Sequence, residues 1–142
     1  MSATVIVRTL LANNAALTAL IPADQIRAGT LPIGTPMPAI TLDQISRFER
    51  VPLGLNSPTV IATCRIQVTV FSQISNEGGD YATLEAAIEL VRLALPNMRA
   101  SVAGFAVDSI RPDYTAQPFE DTDLRLLSQS KDFMVQFYVQ GA

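Results

Sequence analysis

An α+β fold, with an antiparallel sheet of about four strands carrying helices on one face and joined by long loops, is what this sequence predicts. Three observations predict it. In Cys64 to Ser72, CRIQVTVFS, Cys64, Ile66, Val68 and Val70 alternate with Arg65, Gln67, Thr69 and Phe71, the period of a strand with one face toward a core. Gln129 to Gln140 repeat that pattern with Phe133, Val135, Phe137 and Val139. Between them, Tyr81 to Leu95 place Leu84, Ile88, Val91 and Leu95 on one helical face and Glu85, Glu89 and Arg92 on the other.

Taken in order, residues 3 to 21 read as helix, with Ile6, Leu10, Leu17 and Leu20 as the buried stripe and a break or kink at Asn13-Asn14. Pro22 closes it. Gly29, Pro32, Gly34, Pro36 and Pro38 then impose an ordered, extended loop. Ala39 to Ser46, AITLDQIS, is a strand rich in β-branched residues. The central strand fills Val60 to Ser72. A turn at Asn76, Glu77, Gly78 and Gly79 leads to Asp80, a side chain suited to cap the next helix, which Pro96 ends. Ala103 to Pro112 reads as a strand, and Tyr114 to Leu127 as a polar connection holding Pro118, Glu120, Asp121 and Asp123. With no internal repeat, low-complexity tract or linker, residues 1 to 142 read as one domain.

Arg47 to Thr59, RFERVPLGLNSPT, carries the main conflict in the sequence. Phe48, Val51, Leu53 and Leu55 favour burial, while Pro52, Gly54 and Pro58 oppose a regular strand. Three readings stand: a flap over the core, the twisted tip of a hairpin, or a segment that docks on another subunit. On the last reading, Arg47, Phe48, Glu49, Arg50, Val51, Leu53 and Leu55 are assembly contacts, with the charged residues as the rim of an interface.

Composition excludes several functions. The chain is 49% hydrophobic and only 16% charged, against roughly 25% charged in an ordinary soluble domain. Either the core is well filled or part of the surface is hidden in an assembly. A net charge of −3 without a Lys/Arg cluster argues against specific nucleic-acid binding, which needs a concentrated basic face. Arg8, Asn13 and Asn14 interrupt the apolar N-terminus, so neither a signal peptide nor a membrane span is expected.

Catalytic groups are scarce. There is no histidine, hence no imidazole base or ligand, and the single cysteine, Cys64, shares a strand face with Ile66 and Val68, the setting of a buried, inert thiol. Glu85 and Glu89 fall on the polar helix face rather than in a cleft. Glu120, Asp121 and Asp123 lack the Asp/Asn ladder, central Gly and terminal Glu of a calcium loop. Gly78-Gly79 lacks the partners of a phosphate-binding loop. No enzyme activity, cofactor or metal is expected.

ALTALIPADQIRAG, LPIGTPMPAITLDQIS, RIQVTVFS, YATLEAAIELVRLAL and KDFMVQFYV, in that order and spacing, resemble the tail completion or tail terminator family of long-tailed bacteriophages and related prophage elements. The resemblance implies a structural α+β subunit in a ring, usually hexameric, at the head-proximal end of the tail tube. Such a ring stops tube polymerisation and offers a surface to head-closure or connector proteins. It also implies a place in the virion, at the head–tail junction, with host cytoplasm as the site of assembly, and it brings no catalytic residue. Ring contacts would account for the sparse charge: a compact protein of this mass exposes roughly 7,000 Å², and two neighbours burying about 800 Å² each would hide nearly a quarter of it. Two other readings compete. One is another head–tail joining or minor tail protein, and the other a small cytoplasmic ligand-binding or enzymatic domain with Arg47 to Thr59 as its lid.

Overall fold

In a computed structural model that describes residues 2–51, 59–74 and 80–140, the two clean alternating segments pair with each other. They are strand β3 (Thr59–Gln73) and strand β7 (Leu126–Gln140), antiparallel from Thr59 opposite Gln140 to Gln73 opposite Leu126. Because register and side-chain period agree along the whole ladder, Cys64, Ile66 and Val68 fall on the same face as Val135 and Phe133.

Around this pair the sheet is larger than expected, with seven strands among the described residues instead of about four. Strand β1 (Ile26–Ala28) lies parallel to β2 (Ala39–Arg50), and β2 is antiparallel to β3. On the other side β7 meets β5 (Phe105–Thr115), which carries β4 (Ala100–Val102) at its edge, while β6 (Phe119–Asp121) pairs with the first residues of β7. The added strands β1, β4 and β6 have only three residues each, too short for alternation to reveal.

The helical N-terminus divides where the asparagines stand. Helix α1 (Ser2–Ala12) ends before Asn13, and the Asn14 side chain accepts a 2.9 Å bond from the Leu17 amide to cap α2 (Ala15–Leu20). The buried stripe of α1 is Ala3, Ile6, Val7 and Leu11, with Leu10 only partly covered. Helix α3 (Asp80–Ala94) buries Leu84, Ala87 and Val91 against β3 and β7, with Ile88 half-buried beside them. Both α1 and α3 lie on the sheet face that carries Ile66, Val68, Phe133 and Val135. The turn expected at Asn76 to Gly79 and the capping side chain of Asp80 lie outside the described residues.

Two connections are corrected by the structure. Ala103, expected to open a strand, instead forms with Gly104 a two-residue turn between β4 and β5, with φ of 52° and 84°. Positive φ at both positions matches the turn twist that tight hairpins need, and only the glycine adopts it without strain. Tyr114 to Leu127, expected as connection, contains the end of β5 and all of β6. The Gly29-to-Pro38 loop is ordered as expected: the Gln25 side-chain amide donates to the Pro36 and Pro38 carbonyls at 3.1 and 2.7 Å, and Thr35 Oγ1 donates to the Pro32 carbonyl at 2.6 Å.

Phe137 is fully buried and meets Phe105 edge to face, with ring centroids 5.8 Å apart. Phe137→Ala should therefore lower stability by about 3–5 kcal/mol, and the half-buried Ile88→Ala by about 1–2 kcal/mol. Denaturant titration checks both; a loss below about 0.5 kcal/mol at Phe137, the size typical of surface sites, would mean that the sheet faces are assigned in reverse.

Candidate assembly surfaces

Strand β2 changes phase midway. Ile40, Leu42 and Gln44 lie opposite Val70, Val68 and Ile66, but Ile45 has no partner, and Ser46 then pairs with Arg65. One extra residue exchanges the two faces beyond it. Without the bulge, Phe48 would continue the core-side series Ile40, Leu42, Gln44. With it, Arg47 and Glu49 oppose Cys64 and Ala62 on the core side, while Phe48 opposes Thr63 on the outer side and is 71% exposed.

The charged side chains close the end of the core. Arg47 Nε donates to Glu49 Oε1 at 2.7 Å, and its guanidinium stands 5.6 Å from the centre of the Phe137 ring. Phe48 and Val51, the latter 69% exposed, are left to project with Arg50. Of the expected contact residues, Arg47, Phe48, Glu49 and Arg50 thus belong to a regular strand of a hairpin rather than to a loop, and Val51 directly follows it. Leu53 and Leu55 lie outside the described residues.

A second surface lies at the opposite end of β2. A groove of about 680 Å³ is floored by Thr41, Phe71 and Leu126 and walled by the loop from Gly29 to Met37 on one side and Leu124 on the other. Its apolar walls include Ile33, which is fully exposed, and Leu124, 67% exposed. The signal for it was present in Phe71, a large aromatic among Arg65, Gln67 and Thr69 on the outer side of β3, but no single stretch of sequence contains the groove. Arg47 to Val51, the described part of the segment expected as a lid, do not line the groove, and residues 52–58 lie outside the described residues.

Between the two surfaces the outer face is polar. Arg65 of β3 reaches Asp132 of β7 at 3.1 Å and also Asp113 of β5. Bonding first to Asp113 and then to Asp132 holds the guanidinium proton more tightly than usual. Thr69 and Ser130 share a 2.9 Å hydrogen bond, and Asp108, set at a bulge in β5, accepts from Gln136 at 2.8 Å and pairs with Arg99 at 3.0 Å. These side chains tie three strands together, and none is aimed into the groove.

The residues considered for catalysis are separated. Glu89 pairs with Arg92, whose bond holds its carboxyl below the usual range, and Glu85 is exposed on the same helix. Asp121 accepts a 3.1 Å bond from the Leu124 amide, and among the described residues no group of three or more His, Cys, Asp or Glu is placed to hold a metal. Also among the described residues, no helix is long and apolar enough to cross a membrane. Cys64 is fully buried, and desolvation pushes its thiol above the ordinary value.

The comparisons with known proteins give the class and then the family. A chain of the structure entitled "Virion of native gene transfer agent (GTA) particle" matches with a TM-score of 0.68 over 96% of this chain and 94% of that one, at 13% identity, which establishes a shared fold. No curated protein matches the sequence. The class is that of structural phage-tail proteins, because the family model described as "Tail completion protein gp17" matches residues 6–135. This chain belongs to that family.

Native Cys64 should resist alkylation at pH 8.5, where an exposed thiol is about half ionised, and react fully once the chain is unfolded. Equal labelling rates in the two states would contradict its burial. Because its folded pKa is raised, the stability this group contributes is complete below the ordinary thiol value of the unfolded chain and declines as pH rises above it.

Proposed function

We propose that this chain is a tail terminator subunit. It forms a ring, with six as its expected copy number, at the head-proximal end of a tail tube, ends tube polymerisation there and presents the surface on which head-closure proteins assemble. The ring would be built in the host cytoplasm and retained at the head–tail junction. Family membership supports the tail role. The observation that carries the contact surface is the bulge at Ile45, which turns Phe48 out of the core and leaves Phe48 and Val51 uncovered on the hairpin.

Arg47, Phe48, Glu49, Arg50, Val51, Leu53 and Leu55 are the proposed contact segment. An aromatic anchor with charge at its edge is the composition of an interface centre and rim.

The double variant Phe48→Asp, Val51→Asp should melt within about 2 °C of the parent, because neither side chain supports the core. It should nevertheless fail to enter rings or tails, since assembly would bury unpaired carboxylates. Native mass spectrometry of the purified proteins and electron microscopy of complemented tails check this. A variant that melts several degrees lower yet assembles normally would show that the hairpin serves its own core.

A further inference from the structure

We propose that the groove between the Gly29-to-Met37 loop and Leu124 is the socket for the hairpin of a second copy of this chain. Subunits then join head to tail, an inference that rests on the ring reading above. The two surfaces are complementary in shape: Phe48 and Val51 project, whereas Thr41, Phe71 and Leu126 floor a concavity with apolar walls.

They are also complementary in charge. Asp43 lines the socket, and Asp121 and Asp123 stand in or beside the turn that carries Leu124. Arg125, next in the chain, donates to the Ile74 carbonyl. The hairpin brings exposed Arg50, while Arg47 is paired with Glu49. A cation therefore accompanies the aromatic anchor toward a rim rich in carboxylates.

The occupant has to come from another chain. Thr41 in the socket floor and Arg50 on the hairpin belong to the same extended strand, and nine steps at about 3.3 Å put them about 30 Å apart. Because plug and socket are different patches, the contact is heterologous, and repetition closes into a ring when the rotation allows. Edge-to-edge strand addition is the competing geometry. Among the described residues no strand pairs with the outer edge of β2 beyond Leu42. That edge nevertheless carries the bulge at Ile45 and the charges of Arg47, Glu49 and Arg50, the devices that discourage such pairing.

The test uses full-length chains carrying Val51→Cys or Leu124→Cys, in which native Cys64 is buried and so remains silent. Mixed and oxidised with oxidised glutathione, the two should convert most of the monomer into a reductant-sensitive species of twice the mass, whereas neither alone should do so. A chain carrying both substitutions should give a ladder of covalent multimers. A disulfide requires Cα atoms within about 7 Å, so a second pair, Phe48→Cys with Met37→Cys, covers a misaligned first choice, and thermal melting confirms that each variant is folded. Failure of both pairs in folded protein overturns the socket. Native mass spectrometry of the unmodified chain separates the two ideas: rings without cross-links leave the ring reading intact and refute the socket, while the cross-linked pair without rings supports the socket and counts against the ring.

Discussion

The pairing of β3 with β7 is the constraint on which the remaining structure depends. Each strand has 15 residues, and their ladder runs from end to end without a register shift. The pairing joins the middle of the chain to its last strand, so a large loop must close before these contacts form. Once the ladder exists, Ile66, Val68, Phe133 and Val135 make an apolar floor for α1 and α3, and β2 and β5 find their places on either side. A slip of one residue would send these side chains to the opposite face and expose the floor to water.

The flanking strands depart from regularity where the central pair does not. The bulge in β2 at Ile45 reverses the later residues, and a bulge in β5 at Asp108 lets both Val107 and Ile110 reach the core. The first sends an aromatic outward and the second recovers an apolar side chain. The second bulge is a packing adjustment, whereas the first leaves Phe48 exposed and puts Arg47 over Phe137.

Much of the fold was legible in the sequence because β3, β7 and α3 keep one period over many residues. The Asn13-Asn14 break was legible as two polar residues interrupting the helical pattern, and the burial of Cys64 through its strand neighbours. The three-residue strands left no such trace, since β1, β4 and β6 are defined by their partners. Ala103 looked like strand because its positive φ is imposed by the hairpin geometry and not by its own preference. At the candidate surface, the conflict among Phe48, Val51, Pro52 and Gly54 was legible in the sequence, and the structure leaves Phe48 and Val51 exposed. The phase change at Ile45 was not legible, because a bulge is a relation between two strands. The groove stayed hidden for a similar reason: Gly29, Phe71 and Leu124 meet only after folding.

The subunit that emerges has a sheet-and-helix body, with Phe48 and Val51 exposed at one end of β2 and an apolar groove at the other. Such a body fits a tail protein whose work is contact with neighbours, and the proposed consequence of that contact is an end to tube growth. Electron microscopy of tails made in a host that lacks only this chain tests that claim most directly. The account predicts tubes of excessive and variable length without heads, restored to uniform, head-bearing tails when the chain is supplied. Tails of normal length joined to heads in its absence would contradict it.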